Sequence, residues 1–93
     1  MGHVFFRTTV ADYDRWKPVF DEDAGDRRAA GSNGGELFRD AEDPNVVYIL
    51  FEWDLEQARQ YGQSDSLAKK MQEAGVTGPP DIFFMNEIEK LSS

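Results

Sequence analysis

The sequence contains no cysteine, so disulfides, thiol nucleophiles and thiolate metal sites are all excluded. It contains one histidine, His3, which has no assignable partners, and a Ser–His–Asp hydrolytic set is not expected. Positive charge is scarce: 10 Lys and Arg stand against 18 Asp and Glu, a formal net charge of −8. Phosphate binding needs a basic patch that releases counterions, and anionic membrane surfaces attract basic segments. Neither nucleic acid nor membrane is therefore an expected partner. No run approaches the roughly 18 apolar residues of a membrane helix, and the N-terminus shows no signal-peptide apolar region. The expected location is the cytoplasm, which the lack of cysteine fits.

What is present suffices for one packed domain spanning residues 1–93, with no room for a second. The chain is 40% hydrophobic and 13% aromatic, and seven Phe with two Trp supply large core side chains.

His3 to Val10 (HVFFRTTV) is rich in β-branched and aromatic residues and reads as a strand. Asp12 can cap a helix in which Tyr13, Trp16, Phe20, Ala24 and Arg27 recur at spacings of three and four. Pro18 predicts an irregular first turn, Gly25 weakens the middle, and Gly31 ends the helix. Gly34-Gly35 follows that helix rather than preceding one, which marks a turn and not a phosphate cradle. Glu36 to Asp40 reads as a short second strand and Val46 to Trp53 (VVYILFEW) as the strongest strand of all. Asp54 can cap a second helix, interrupted at Gly62 and re-capped by Ser64 or Asp65. Asp81 to Glu89 is the last strand.

The order is β-α-β-β-α-β, the ferredoxin-like arrangement: an α+β fold with a four-stranded antiparallel sheet and both helices on one face. Strand alternation separates two sets. Val4, Phe6, Thr8, Val10, Val47, Ile49, Phe51, Trp53, Ile82, Phe84 and Ile88 are expected to face the helices. The opposite face holds Phe5, Val46, Tyr48, Leu50, Phe83 and Met85, where a water-facing sheet would be polar. An apolar patch of that size is near the limit a monomer exposes, so a homodimer through this face is expected.

The polar residues of the second face are the candidates for chemistry: Arg7, Tyr48, Glu52 and, at the strand end, His3. Polar groups converging among apolar ones make a small-molecule pocket; an Arg7–Glu52 ion pair at a dimer interface is the structural alternative. Asp21, Glu22, Asp23 and Asp26 lack the spacing of a calcium loop and read as a solvated helix face, so no metal is expected.

The string Val10 to Asp21 (VADYDRWKPVFD) follows a strand containing Arg7. Phe51-Glu52-Trp53-Asp54 precedes a helix containing Ala58, and Ser64-Asp65 and Leu67 come after it. In these features the chain resembles, over nearly its whole length, the dimeric α+β barrel superfamily and its antibiotic biosynthesis monooxygenase-like domains. The resemblance implies two sheets packed face to face as an α+β barrel. It also implies a small apolar or aromatic ligand and no cofactor. Such domains include quinone-forming monooxygenases without metal or flavin, polyketide cyclases, haem-degrading enzymes and stress proteins, so fold alone does not choose a reaction. The haem-degrading branch uses a helix histidine, and this sequence has only His3, on a strand.

Two readings follow. In the first, a cofactor-independent monooxygenase or cyclase acts on an aromatic or polyketide-like substrate. Glu52 or His3 would serve as base, Arg7 and Tyr48 would hold an oxyanion, and Phe5, Leu50, Trp53, Phe83 and Met85 would line the site. In the second, a non-catalytic dimeric module binds a ligand or partner, and the same polar residues fix the dimer register.

Overall fold

A computed structural model of the chain describes residues 2–93. Its strands are β1 (Gly2–Thr9), β2 (Ser32–Arg39), β3 (Val46–Trp53) and β4 (Asp81–Asn86), and its helices are α1 (Tyr13–Glu22), α2 (Ala24–Ala29), α3 (Leu55–Gly62) and α4 (Asp65–Glu73). The strands form one sheet in the order β2-β3-β1-β4, with every neighbouring pair antiparallel. This is the ferredoxin-like arrangement, each of its two helical connections being divided into two helices. No helix among the described residues is long and apolar enough to cross a membrane.

Local chemistry explains the helix starts. The carboxylate of Asp12 accepts from the Asp14 N–H (3.1 Å), that of Asp54 from the Gln57 N–H (3.0 Å), and the hydroxyl of Ser64 from the Leu67 N–H (3.2 Å). Each satisfies a donor that the first helical turn leaves unpaired. Pro18 lies inside α1 without ending it, and the irregularity expected there falls instead at Asp23, between α1 and α2.

The expected division of the sheet holds at its centre. Val4, Thr8, Val10, Val47, Ile49 and Trp53 are buried beneath the helices with Trp16, Ala58 and Ala74. It weakens at the β4 edge, where Ile82 and Phe84 stay 40% and 38% exposed; from the helices the Arg59 guanidinium of α3 lies over Phe84, 4.7 Å from the ring centre. Ile88, expected in the core, lies beyond the end of β4 and is 91% exposed. On the opposite face Phe5 contacts Tyr48 and Phe83, with ring centroids 6.0 and 6.2 Å apart. Phe38, opposite Tyr48 on β2, adds a further exposed ring to that face.

The second strand begins four residues earlier than its composition suggests, at Ser32. Gly34 and Gly35 belong to it, within an irregularity of the β2–β3 pairing between Ser32 and Gly35. A Cβ on Gly35 would stand 1.9 Å from the Leu50 carbonyl oxygen, so the close approach of the two backbones requires glycine.

Candidate functional site

The α1 stripe carries more than apolar residues. Trp16, Phe20, Asp23 and Arg27 follow one another at spacings of four, three and four, and so share one face above the sheet. Beneath them β1 and β3 contribute Val4, Phe6, Ile49, Phe51 and Trp53, while α3 and α4 close the far side with Tyr61, Leu67 and Met71. These residues line a cavity of about 110 Å³, open on one side. Its wall is aromatic: Trp16 stacks on Phe20 at 4.8 Å between ring centroids, and Trp53 meets Phe51 and Tyr61 at 5.4 Å each. The Trp53 indole N–H donates to the Ala30 carbonyl (3.1 Å), which holds this ring in place.

One polar cluster interrupts the wall. The Asp23 side chain is only 6% exposed, and three groups donate to it. The Tyr61 hydroxyl and Arg27 Nη1 (3.3 Å) donate to Oδ2, and Lys70 Nζ (2.7 Å) donates to Oδ1. Lys70 also donates to Asp26 at 2.5 Å, and Arg27 to the Phe20 carbonyl at 2.9 Å. The Arg27 guanidinium lies 3.9 Å above the Phe20 ring centre, a cation–π contact. Burial, and then the bond to Asp23, push the Tyr61 hydroxyl well above its ordinary pKa. The hydrogen bonds to Asp23 and Asp26 raise Lys70 likewise. Tyr61 and Lys70 are thus proton holders at neutral pH rather than bases.

Asp23 overturns the reading of the acidic run as a uniformly solvated face. Asp21 is surface-exposed and pairs with Lys17 (2.7 Å), and Glu22 and Asp26 are exposed, but Asp23 turns inward. The available signal was its spacing, three residues after Phe20 and four before Arg27.

A second cavity, of about 220 Å³, opens between α2 and β2 and shares Phe20, Arg27, Ile49 and Phe51 with the first. No group of three or more metal-ligating side chains converges among the described residues.

The sequence-predicted residues of the other face form two pairs rather than one group. His3 stands opposite Glu52, both half-buried, and Arg7 stands opposite Tyr48. Four residues of extended strand, about 13 Å, separate the pairs. The expected Arg7–Glu52 contact is therefore absent; Arg7 instead lies 3.9 Å from Asp81, with both side chains more than half exposed. The Tyr48 hydroxyl donates to Asp40 at 2.6 Å. That bond is the main cause of a raised Tyr48 pKa and a lowered Asp40 pKa. Neither cavity is lined by these residues. Of the expected lining residues, Trp53 borders the first cavity, whereas Phe5, Leu50, Phe83 and Met85 border neither.

No protein-family model matches the sequence, and no curated protein does. Solved structures do. SnoaB from Streptomyces nogalater, a cofactor-independent oxygenase, superposes with a TM-score of 0.78 at 16% identity, over 99% of this chain and 97% of that one. An antibiotic biosynthesis monooxygenase gives 0.70 at 16% identity, over 96% and 100%. The protein Rv0793 from Mycobacterium tuberculosis gives 0.68 at 14% identity, over 98% of each chain. Identities this low speak for architecture alone. The chain has the fold of the antibiotic biosynthesis monooxygenase-like proteins.

Proposed function

We propose that this protein binds a small aromatic molecule in the cavity between helices and sheet, as a homodimer joined through the opposite sheet face. The observation that carries the reading is an apolar, aromatic wall interrupted by a single buried polar cluster, which suits an aromatic ring with one polar substituent. Size narrows the choice. A dry cavity of roughly 150 Å³ accommodates benzene, so about 110 Å³ with an open side takes one ring. A fused ring system needs the adjoining cavity as well.

The activity we propose is cofactor-independent oxygenation or cyclisation of an aromatic or polyketide-like substrate. In the oxygenase case an acidic C–H of a phenol tautomer loses its proton and the carbanion adds dioxygen. The resulting hydroperoxide loses water to leave a new carbonyl, so dioxygen is the oxidant throughout. Likeness of fold to a cofactor-independent oxygenase supports this reading. On the far face, Arg7, Tyr48, Glu52 and His3 are proposed to set the dimer register, with Phe5, Leu50, Phe83 and Met85 as its apolar contacts. If the partner's sheet encloses a space there, the same polar residues supply a base and an oxyanion partner.

A non-catalytic ligand-binding dimer is the second reading. It is favoured by Asp23, the one carboxylate beside the first cavity, being saturated by Tyr61, Arg27 and Lys70 and hence a weak base. Two measurements separate the possibilities. Binding of a naphthol is followed by quenching of Trp16 and Trp53 fluorescence, in the natural chain and in Leu67→Trp, which fills the cavity from a half-exposed position. Dioxygen uptake is then recorded with anthrone. Quenching that Leu67→Trp abolishes, with uptake, supports the oxygenase; quenching without uptake supports the binding module; no quenching removes the cavity as a ligand site.

A further inference from the structure

We propose that the ligand is an aromatic acid whose ring system fills the first cavity and extends into the second, where its carboxylate is held by Arg27 with help from Arg28. This deepens the cavity reading above and rests on it. Arg27 stands where the two spaces meet, because it lines both. Its side chain is 12% exposed, so an anion reaching it is largely out of water. Nη1 alone carries its hydrogen bonds, to Asp23 and the Phe20 carbonyl. Among the described residues Nε and Nη2 meet no protein acceptor, and a planar guanidinium offers those remaining donors as a fork suited to a carboxylate.

The charge balance around the second cavity points the same way. Asp23 and Asp26 together balance the charges of Lys70 and Arg27, which share Asp23. Arg28, on the wall of the second cavity, pairs with no carboxylate among the described residues. Glu36 also borders this space but does not oppose an anion there. It is paired with Leu50, whose side chain points to the far face, so the Glu36 backbone lines the cavity and its carboxylate is directed away. Ser32, Gly34 and Gly35 place little bulk beneath α2, which leaves the room. In a chain of net charge −8, the one positive charge left over at this cavity among the described residues, that of Arg28, together with the remaining donors of Arg27 makes a local anion site.

The test is calorimetric titration of the full chain with a naphthoate and with the naphthol of the same ring position. The naphthoate is expected to bind roughly tenfold more tightly, the scale of one charge-assisted hydrogen-bond pair. Arg27→Gln should remove about that factor for the naphthoate and weaken the naphthol less, so that the preference for the acid over the alcohol is lost. Arg28→Gln, at an exposed position that does not endanger the fold, should weaken the naphthoate by roughly threefold and flatten its salt dependence. Equal affinity for acid and alcohol overturns the proposal while leaving the cavity reading intact. A preference for the acid that neither variant reduces also overturns it. If neither molecule binds, the proposal and the cavity reading fall together.

Discussion

Asp23 is a carboxylate with almost no access to water, tolerable only because Tyr61, Arg27 and Lys70 all donate to it. Removing it strands a nearly buried guanidinium. Asp23→Ala is therefore expected to lower stability by about 3 kcal/mol in urea unfolding, whereas Asp21→Ala, two residues away at the surface, should change it by less than about 0.5 kcal/mol. The same cluster shapes the alkaline limb of stability. Tyr61 and Lys70 hold their protons more tightly in the folded chain than at their ordinary values of 10.0 and 10.5. Their contribution is complete below about pH 10 and is lost as pH rises through the raised folded values, because the unfolded chain releases those protons first. A plot of thermal midpoint against pH should fall above about pH 10, and more gently in Tyr61→Phe. Asp40 acts at the other end: its lowered pKa gives a contribution present above the ordinary 3.8 and lost as pH falls through the folded value. None of this was legible in the acidic run itself. The groups that bury Asp23 arrive 38 and 47 residues later in the chain, and only the three-and-four spacing to Phe20 and Arg27 hinted at its direction.

At the scale of elements, strand β3 was readable to both its ends because VVYILFEW offers nothing but a strand. The second strand was not. Gly34 and Gly35 read as a turn after a helix, yet the structure pairs Gly35 with Phe51 inside the sheet. The reason is a backbone approach that no local pattern encodes. Gly35→Ala forces a Cβ against the fixed Leu50 carbonyl and is expected to cost about 1–3 kcal/mol, read from the urea midpoint, with loss of β2 amide protection in hydrogen exchange. Gly25 makes the converse case. It lies in α2, where an added methyl would meet nothing within 4 Å, so Gly25→Ala should raise stability by about 0.4–1 kcal/mol.

For the whole molecule the far face of the sheet is decisive. Phe38 and Phe83 are 47% and 55% exposed there, and Phe5, Tyr48 and Leu50 are half-buried around them. The proposed dimer covers that surface. Sedimentation equilibrium should return twice the mass of the chain, and Phe83→Asp should return the mass of one while leaving the circular dichroism of the fold unchanged, since a desolvated charge is tolerated only in the monomer. A natural chain that sediments as a monomer at micromolar concentration removes the dimer from the proposal.

Element order, the two apolar faces of the sheet and the helix caps were determined by the sequence alone, because each depends on a period of two, a spacing of three and four, or one side chain beside a helix start. Which polar groups meet was decided only by the tertiary structure. Strand register sets His3–Glu52 and Arg7–Tyr48 apart along β1, and the packing of α3 and α4 onto α1 and α2 joins Asp23, Arg27, Tyr61 and Lys70. Both outcomes arise from contacts between residues far apart in the chain, and local patterns carry no information about such contacts.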